Sequence, residues 1–466
     1  MKPIQYDQPQ AQQLSGVQSP ISIREFRGLN TFDPLSLSEG YFTDAQNVDS
    51  SDFPALVTRP GYSVIGSGGT RVLGMGVWQD RELHVVFNDG TWRRWDGSGW
   101  TVLVGGLNGS AEWSFTNFQG NLDQFNLIGC NGVDAMRRYD GGSVQELSGA
   151  PANGKYITTY QNRLWCAVDN EIWSCALDNP TSWDDFDGNA NDSYRKTMES
   201  TKGETVNMLT GSLTRLTIGM PGSMHELYGT MPSNFSTKQI TEEVGTVNYK
   251  AIATQEGFLR IMHGTGIYDY GGGTLPDRSF SRIIDKLLSG GITAESVAGS
   301  DGRRLLFNLP PDRLLVYDPR SDVQTWQLWT GLSAVQMVQM GGKLYIGDAS
   351  GRVMCLEGTT DAGAAINWSV TMKPFNNGSL AQRMRWYKLW LVVELSGSVN
   401  VYLSPSITGE DWTLVQSVSG TGPQVRRVII PVSSFTRENW IRMKISGSGW
   451  ARIHEITRQV RQLPIR

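Results

Sequence analysis

The chain has 466 residues, of which 18% are charged, and its formal net charge of −4 indicates no particular partner. It contains 53 glycines and 16 tryptophans, a composition that suits many short strands joined by tight turns. No apolar run reaches the ~18 residues that a membrane span needs, and the N-terminus MKPIQYDQPQ does not resemble a signal peptide. We therefore expect a protein without a membrane span.

Residues 1–52 differ in composition from the rest of the chain. The first eighteen residues have few apolar anchors and contain six glutamines, Gln5, Gln8, Gln10, Gln12, Gln13 and Gln18. Such a segment cannot bury a core of its own. We predict an extended N-terminal arm that is either disordered or ordered against a neighbouring subunit.

The stretch Gly76–Val104 predicts a small antiparallel sheet. Its sequence, GVWQDRELHVVFNDGTWRRWDGSGWTVLV, alternates apolar and polar residues in four short segments separated by turn residues. Asp89-Gly90 would form a type I′ hairpin turn, in which both central residues need positive φ. Four such short strands make a sheet that cannot bury both of its faces alone.

This pattern recurs seven times between residues 53 and 360. Candidate turns between the second and third strands are Asp89-Gly90, Asn131-Gly132, Asp169-Asn170, Pro221-Gly222, Thr265-Gly266, Pro311-Asp312 and Ser350-Gly351. The steps between successive turns range from 38 to 52 residues. Because a period of ~40–50 residues with four strands per unit is typical of a β-propeller, the sequence predicts an all-β chain with a seven-bladed propeller.

The last repeat predicts how the propeller closes. It has three strand candidates, the last of which is Arg352–Leu356. An open blade would leave an unpaired strand edge. Pro54–Ile65 lies before the four strands of the first blade, so we predict that this N-terminal strand completes the last blade.

Two insertions, residues 182–204 and residues 271–291, interrupt the repeats. The second contains a helix pattern whose apolar face consists of Phe280, Ile283, Ile284, Leu287 and Leu288. The helix would lie either on its own propeller or against a neighbouring subunit.

The first insertion holds the one candidate metal site. Its candidate ligands, at alternate positions as in calcium loops, are Asp185, Asp187, Asn189 and Asn191. Gly188 is misplaced for an EF-hand turn, and Lys196 stands where that loop has a bidentate glutamate. The alternative is a metal-free loop stabilised by Asx turns.

Residues 361–466 predict a second domain, a β-sandwich, because the repeat stops and six strand candidates follow. These are MRWYKLWLVVEL, VNVYLSPS, DWTLVQSV, VRRVIIPV, WIRMKISG and WARIHEITRQ. From residue 366 onward the net charge is +8, against −12 for the remainder. Candidate interface residues are Arg426, Arg427, Arg458, Arg461 and Arg466. This basic surface would bind nucleic acid, remain solvated, or complement an acidic subunit.

No pattern in the sequence predicts catalysis, a cofactor or a bound metal beyond that loop. The four histidines, His84, His225, His263 and His454, lie in different units without metal-ligand spacing. The stretch Asn88–Trp92 only partly matches the S-x-D-x-G-x-T-W turn of sialidase-type propellers. The chain also lacks a P-loop and a G-x-S-x-G nucleophile elbow. We therefore predict a protein that is not an enzyme.

Three short motifs in the leader carry a family resemblance: Gly28-Leu29-Asn30, Asn47-Val48-Asp49 and Arg59-Pro60-Gly61-Tyr62. Followed by seven repeats, they resemble the leader of virion proteins of tailed bacteriophages. The whole chain is most similar to tail hub or nozzle proteins of short-tailed phages, also called packaged-DNA-stabilisation proteins.

This resemblance implies a hexameric ring of copies of this chain, below the portal and adaptor proteins. Such a ring retains the packaged genomic DNA and forms the ejection channel, through which DNA passes without sequence readout. It also gives a platform to tail fibre or spike proteins. The implied location is the virion tail, assembled in the cytoplasm of the host bacterium.

Two other functions stay open at the level of the sequence. A receptor-binding or adhesin propeller would recognise glycans through exposed Trp or Tyr side chains in its loops. A propeller glycosidase would need carboxylates clustered in the central funnel.

Overall fold

The computed structural model describes residues 19–320, 323–376 and 379–463. The chain divides into two compact units: residues 59–364 form one, and the segments before and after them form the other. We call these the propeller unit and the terminal unit. No helix among the described residues is long and apolar enough to cross a membrane.

This division differs from the predicted domains 1–52, 53–360 and 361–466. The leader and the C-terminal region contribute strands to one sheet, so they form a single unit that is discontinuous in sequence. The predicted boundaries near the propeller are close to the observed ones.

Residues 19–58 are folded rather than extended. They form five short strands: β1 (Ile21–Ile23), β2 (Gly28–Leu29), β3 (Tyr41–Gln46), β4 (Val48–Asp49) and β5 (Leu56–Thr58). Phe26, Leu29 and Phe42 are buried, which anchors the segment. The predicted arm is therefore wrong for residues 19–52, whereas residues 1–18, with the six glutamines, lie outside the described residues.

Among the described residues, seven sheets form the propeller unit, which confirms the seven-bladed propeller. Their strands pair antiparallel, except for a parallel pairing of one short extra strand in the last blade. Blade 7 is completed by β6 (Tyr62–Ser67). Blade 1 consists of β7 (Val72–Trp78), β8 (Glu82–Phe87), β9 (Trp92–Trp95) and β10 (Trp100–Val104). Blade 2 consists of β11 (Ser114–Phe118), β12 (Asn126–Cys130), β13 (Arg137–Tyr139) and β14 (Val144–Glu146). Blade 3 consists of β15 (Lys155–Tyr160), β16 (Arg163–Val168), β17 (Glu171–Ser174) and β18 (Tyr194–Thr197).

The remaining blades follow in the same order. Blade 4 consists of β19 (Met208–Gly211), β20 (Leu216–Gly219), β21 (Met224–Tyr228) and β22 (Ser236–Thr241), and blade 5 consists of β23 (Ile252–Gln255), β24 (Phe258–His263) and β25 (Gly266–Tyr270). Blade 6 consists of β26 (Val297–Ser300), β27 (Leu305–Leu309), β28 (Arg313–Arg320) and β29 (Val323–Thr330). Blade 7 consists of β30 (Gln336–Met340), β31 (Lys343–Gly347), β32 (Arg352–Leu356) and β6, and two short strands, β33 (Thr360–Asp361) and β34 (Ala364–Ala365), follow beyond β6.

The N-terminal strand closes the last blade, as predicted. β6 pairs with β32 in an antiparallel register that places Val64 opposite Met354 and Ser63 opposite Cys355. The predicted strand, Pro54–Ile65, begins too early, because β5 belongs to the sheet of the terminal unit. Closure therefore depends on a segment that starts just after residue 58.

The Asp89-Gly90 hairpin is a turn, although not of the predicted type. Gly90 has a φ of 76°, whereas Asp89 is not in the positive-φ region that a type I′ turn requires. The Asp89 carboxylate instead accepts a hydrogen bond from the backbone N–H of Thr91 at 3.0 Å. A side-chain hydrogen bond of this kind stabilises the turn without a second positive φ.

The predicted helix lies on its own propeller. It begins as a 3₁₀-helix over Arg278–Ile284 and continues as a one-turn α-helix, α1 (Asp285–Leu288). The Phe280 ring packs 4.7 Å from that of Tyr317 and 5.2 Å from that of Trp326 in blade 6. Blade 5 has three strands, and the segment that follows its third strand covers apolar side chains of blade 6.

A buried histidine lies between blades 1 and 2. His84 accepts a hydrogen bond at Nδ1 from Trp92 Nε1 at 2.9 Å, and its ring lies 4.4 Å from that of Tyr139. Burial, and then the charge of Arg94, lower the pKa of His84 to about 3. The imidazole is therefore neutral in the folded chain at neutral pH.

This histidine should make stability depend on pH. The unfolded chain protonates its histidine below the ordinary pKa of 6.5, whereas the folded chain resists protonation down to about 3. Stability contributed by neutral His84 is thus lost as the pH falls through this window, by up to about 1.4 kcal/mol per pH unit.

The measurement is urea unfolding at about pH 7 and about pH 5, for the native chain and for His84→Gln. Glutamine keeps an acceptor for Trp92 but does not titrate. We expect a smaller loss of stability in the variant; equal losses would show that His84 does not contribute.

The predicted C-terminal sandwich is not confirmed. The six strand candidates merge in pairs into three long strands, β36 (Met384–Ser404), β37 (Thr413–Ile430) and β38 (Arg442–Gln462), preceded by β35 (Asn367–Met372). With the leader strands they form a nine-stranded sheet whose main order is β2-β3-β35-β38-β36-β37. A 3₁₀-helix, Ser433–Phe435, lies between β37 and β38, and another, Pro232–Asn234, lies in blade 4.

Glycines explain why predicted turns are continuous strand. Gly397 and Gly449 are cross-strand partners with φ values of 141° and 88°. A Cβ atom on Gly397 would lie 2.1 Å from the carbonyl oxygen of Ser448, so no larger residue fits there. Glycine at this point permits the close approach of two strands and does not end either of them.

Candidate functional site

The propeller unit contains a cavity at its central funnel. A cavity of about 280 Å³ is lined by residues from or beside the first strands of all seven blades. Its wall includes Met75, Trp113, Tyr156, Tyr249 and Gln336. The innermost strands position these side chains because a propeller directs the first strand of each blade toward the axis.

A tyrosine crosses this funnel. Tyr249 donates a hydrogen bond to the carbonyl oxygen of Trp113 at 2.9 Å and accepts one from Gln336 Nε2 at 2.9 Å. Its ring lies 5.0 Å from that of Tyr156, and burial raises the pKa of the Tyr249 hydroxyl well above its ordinary value. These contacts join blades 2, 3 and 7 across the axis.

Tyr156 holds a strained backbone conformation beside this contact. Its φ is 54°, in the left-handed region, and the pairing of β15 with β16 is irregular between Lys155 and Thr158. Such a conformation costs roughly 1–2 kcal/mol for a residue with a side chain. The irregularity lets the tyrosine ring face Tyr249.

An ion pair lies beside the funnel. Lys250 Nζ is 2.8 Å from Glu112 Oε1, which also lies 3.2 Å from Arg71 Nη2. Burial lowers the pKa of Lys250, although Glu112 opposes the shift. The wall of the described cavity contains no Asp or Glu, whereas glycosidases use two carboxylates that flank the scissile bond.

The candidate calcium loop is organised by groups of the chain itself. Buried Arg163 donates hydrogen bonds to the carbonyl oxygens of Ala190 and Asp192. A guanidinium among these oxygens disfavours a second cation there. The candidate ligands are all exposed: Asp185, Asp187, Asn189 and Asn191.

Asp192, which the sequence did not single out, holds this loop instead. Its carboxylate accepts hydrogen bonds from the backbone N–H groups of Gly188 at 2.6 Å and Asn189 at 2.9 Å. Within the described ranges no three His, Cys, Asp or Glu side chains converge as metal ligands. These bonds reach back to N–H groups three and four residues earlier, so they are not the predicted Asx turns, in which a side chain accepts from the backbone two residues later.

The candidate interface arginines are not one patch. Arg458 is only 3% exposed, pairs with Glu39 and lies over the Phe375 ring, so its assignment as an interface residue is wrong. Arg461 is half-buried near the end of β38. Arg426 and Arg427 lie on the edge strand β37, and Arg427 is exposed, whereas Arg466 lies outside the described residues.

The leader neutralises part of the basic tail. Asp52 of the leader pairs with Arg452 of the tail, and Glu39 pairs with Arg458. A third ion pair has the opposite sense and joins Arg24 of the leader to Glu455 of the tail. Counted as one unit, residues 1–58 and 365–466 have 16 Lys/Arg and 12 Asp/Glu, a net charge of +4 instead of the +8 of the tail alone. The basic tail is therefore not an isolated positive surface.

No family model and no curated protein matches the chain. Among the solved structures that resemble it is Chaetomium thermophilum Raptor, with 13% identity, a TM-score of 0.47 and coverage of 65% of this chain. BBS1N in complex with ARL6DN has 10% identity, a TM-score of 0.44 and coverage of 66% of this chain. The Neurospora crassa Pan2 WD40 domain has 9% identity, a TM-score of 0.41 and coverage of 66% of this chain. The matches cover 29%, 100% and 97% of those chains. No functional conclusion follows at these TM-scores.

Proposed function

We propose that the chain is a structural subunit of a phage tail or connector ring, of the hub or nozzle kind. The observation that carries this proposal is β37, an 18-residue strand at the end of the terminal sheet. Among the described residues it pairs with β36 on one side only. Three large apolar side chains on it are exposed, Leu414 by 52%, Val425 by 65% and Ile429 by 57%.

Proteins usually protect long edge strands, because their free N–H and C=O groups pair with other chains. Here the edge combines exposed apolar residues with Arg427, so it suits a contact with another subunit. Cyclic rings use heterologous contacts, in which one patch meets a different patch of the next subunit. The proposed hexamer would place β37 of each copy against its neighbour.

The funnel restricts where DNA could pass in such a ring. Tyr249 and Gln336 cross the axis of the propeller, and the cavity there measures about 280 Å³. A duplex is far wider than this cavity, so the proposed ejection channel would run between subunits. The leader motifs that resemble those of virion proteins support the wider assignment, with portal, adaptor and fibre or spike proteins as partners in the virion tail.

A paired substitution on β37 tests the ring. Val425→Lys with Ile429→Lys should abolish assembly, because two charges at a packed edge leave unpaired ammonium groups. The measurement is the mass of the assembled protein, against 51.5 kDa for one chain. Val102→Lys is the matched control, since Val102 is 58% exposed on β10 at the edge of blade 1.

We expect the native chain and Val102→Lys to assemble, and the double variant to stay monomeric with an unchanged unfolding midpoint. Rings of the double variant with the native mass would contradict the role of β37.

A further inference from the structure

The terminal sheet carries a groove on its outward face. Strands β35, β38 and β36 align so that Ser369, Ser446 and Asn400 form one cross-strand row. The next row toward the β36–β37 connection contains Lys444 and Tyr402. The groove above these rows has a volume of about 530 Å³, within the ~300–1,000 Å³ typical of small-molecule sites.

The alternation of the strands separates this groove from the core. Val370, Ile445 and Val401, which alternate with the groove residues, are 1% exposed or less. One face of the sheet is therefore apolar and packed, and the other presents hydroxyl, amide and ammonium groups. A polar lining of this kind suits a ligand with many hydroxyl groups better than an apolar one.

Trp412 forms one wall of the groove. It lies in the connection between β36 and β37, with Arg442 4.8 Å and Lys444 5.8 Å from its ring centroid. Its Nε1 donates a hydrogen bond to Glu410 Oε2 at 3.0 Å, which fixes the orientation of the indole. A half-buried, oriented indole beside polar groups provides an apolar contact surface for a ring-shaped ligand.

Several polar groups of the groove remain available. The described residues give no hydrogen-bond partner to the Tyr402 hydroxyl, the Lys444 ammonium, or the hydroxyls of Ser446 and Ser448. Asn400 Oδ1 accepts a hydrogen bond from Ser417 Oγ at 2.7 Å, which orients its amide. Donors and acceptors thus line the floor, and the Asn400 amide is held in place among them.

The charges around the groove argue against nucleic acid. Lys444 and Arg442 face Asp44, Glu410 and Asp411, all of which interact electrostatically with one or both of them. Nucleic-acid sites need an excess of positive charge to neutralise phosphates. A neutral ligand fits this balance.

We propose that this groove binds a neutral oligosaccharide. The C–H face of a sugar ring would pack on Trp412, while its hydroxyls would exchange hydrogen bonds with Tyr402, Asn400 and Ser446. The proposal does not depend on the ring assignment, because the groove lies entirely within the terminal unit of one chain. In a virion protein it would supply contact with surface glycans of the host.

The test uses the purified full chain on an array of neutral and acidic glycans, with duplex DNA as a further probe. The best neutral oligosaccharide is then titrated by tryptophan fluorescence. We expect at least a ~10-fold loss of affinity in Trp412→Ala, equivalent to ~1.4 kcal/mol. Ser446→Trp should give a similar loss, because it fills the groove without reaching the core.

The matched control is Trp390→Ala. Trp390 is also a half-buried tryptophan of the terminal unit with a lysine near its ring, Lys388 at 6.0 Å, but it does not line the groove. The Trp390→Ala variant should bind the oligosaccharide like the native chain. The Tyr402→Phe variant, which keeps the ring but loses the hydroxyl, should bind it more weakly. No retention of any neutral glycan, or retention unaffected by both Trp412→Ala and Ser446→Trp, would overturn the proposal. Preference for duplex DNA or acidic glycans would overturn it equally.

Discussion

Replacing Arg59 with alanine is expected to lower the free energy of unfolding by about 3 kcal/mol. The Arg59 side chain is 1% exposed, and its guanidinium makes two hydrogen bonds with the Asp361 carboxylate, at 2.8 Å and 2.7 Å. It also donates to the carbonyl oxygen of Thr330 at 3.3 Å, at the end of blade 6. Arg59 immediately precedes the closing strand of blade 7, so its loss should loosen the closure.

Two further variants make this prediction specific. Arg59→Lys keeps the charge but not the paired geometry, so it should cost less than Arg59→Ala. Lys343→Ala breaks an ion pair with Glu357 in the same blade. Both side chains of this pair are well exposed, by 54% and 43%, so the change should cost less than either substitution of Arg59. Urea unfolding measures all three. An Arg59→Ala effect no larger than that of Lys343→Ala would contradict the closing role.

Removing residues 1–67 should lower the stability of the fold more than either substitution of Arg59. The truncation deletes β6 from the last blade and β1 to β5 from the terminal sheet, so both units would expose strand edges. We expect a sharply lower unfolding midpoint, and an unchanged midpoint would contradict the account of closure.

The second large effect is expected at Glu226, which ties blade 4 to the segment after blade 5. Its side chain is fully buried beside Arg215 Nε at 2.8 Å and accepts a hydrogen bond from the Tyr270 hydroxyl at 2.5 Å. The Tyr228 hydroxyl and the backbone N–H of Gly273 also donate to it. Glu226→Ala should therefore cost about 3–5 kcal/mol, because it leaves a poorly exposed guanidinium without its partner.

Glu226→Gln keeps the shape and some of the hydrogen bonds, so we expect a smaller loss than for alanine. Glu146→Ala is the matched control: Glu146 pairs with Arg137 in blade 2, but its side chain is 64% exposed. Its loss should change the free energy of unfolding by less than about 1 kcal/mol. If Glu226→Ala unfolds no more easily than Glu146→Ala, the buried cluster does not hold the blades.

Local turn chemistry made the propeller predictable from sequence. Pairs such as Asn131-Gly132 and Ser350-Gly351 lie between the second and third strands, because glycine and Asx residues favour the conformations that reverse a chain. The missing fourth strand after Leu356 likewise predicted the closing strand. The first inference depends on short-range pattern. The second depends on counting strands in the repeats, because β6 pairs with β32 far along the chain.

The terminal sheet was less predictable because glycine has a different structural role there than in the turns of the propeller. Gly397 and Gly449 allow two strands to approach closely, whereas Gly90 and Gly132 in the propeller lie in turns between strands. The leader's strands pair with residues some 400 positions later, as Ile21 does with Arg458. Nothing local in the sequence indicates that partner.

The candidate sites were also hard to predict, because their residues are distant from one another in the sequence. Tyr249 and Gln336 meet across the axis from different blades, and the Glu226 cluster joins residues of blades 4 and 5. No spacing rule connects these positions. Arg59 could have been found, since it belongs to the Arg-Pro-Gly-Tyr motif of the leader.

The proposed ring and the proposed glycan groove use different surfaces of the terminal unit. The first depends on the edge of β37, and the second on the outward face formed by β35, β38 and β36. Variants of one surface should therefore leave the other property intact. Loss of glycan binding in Trp412→Ala without loss of assembly would show this independence.

The most direct test of the virion assignment is the copy number of this chain in purified phage particles. Isotope-labelled peptides from the propeller unit, compared with peptides of the major capsid protein, give copies per particle. The account predicts six copies, or a multiple compatible with sixfold symmetry, together with labelling of the tail by antibodies against the chain. Absence of the chain from particles, or a copy number incompatible with sixfold or twelvefold symmetry, would contradict it.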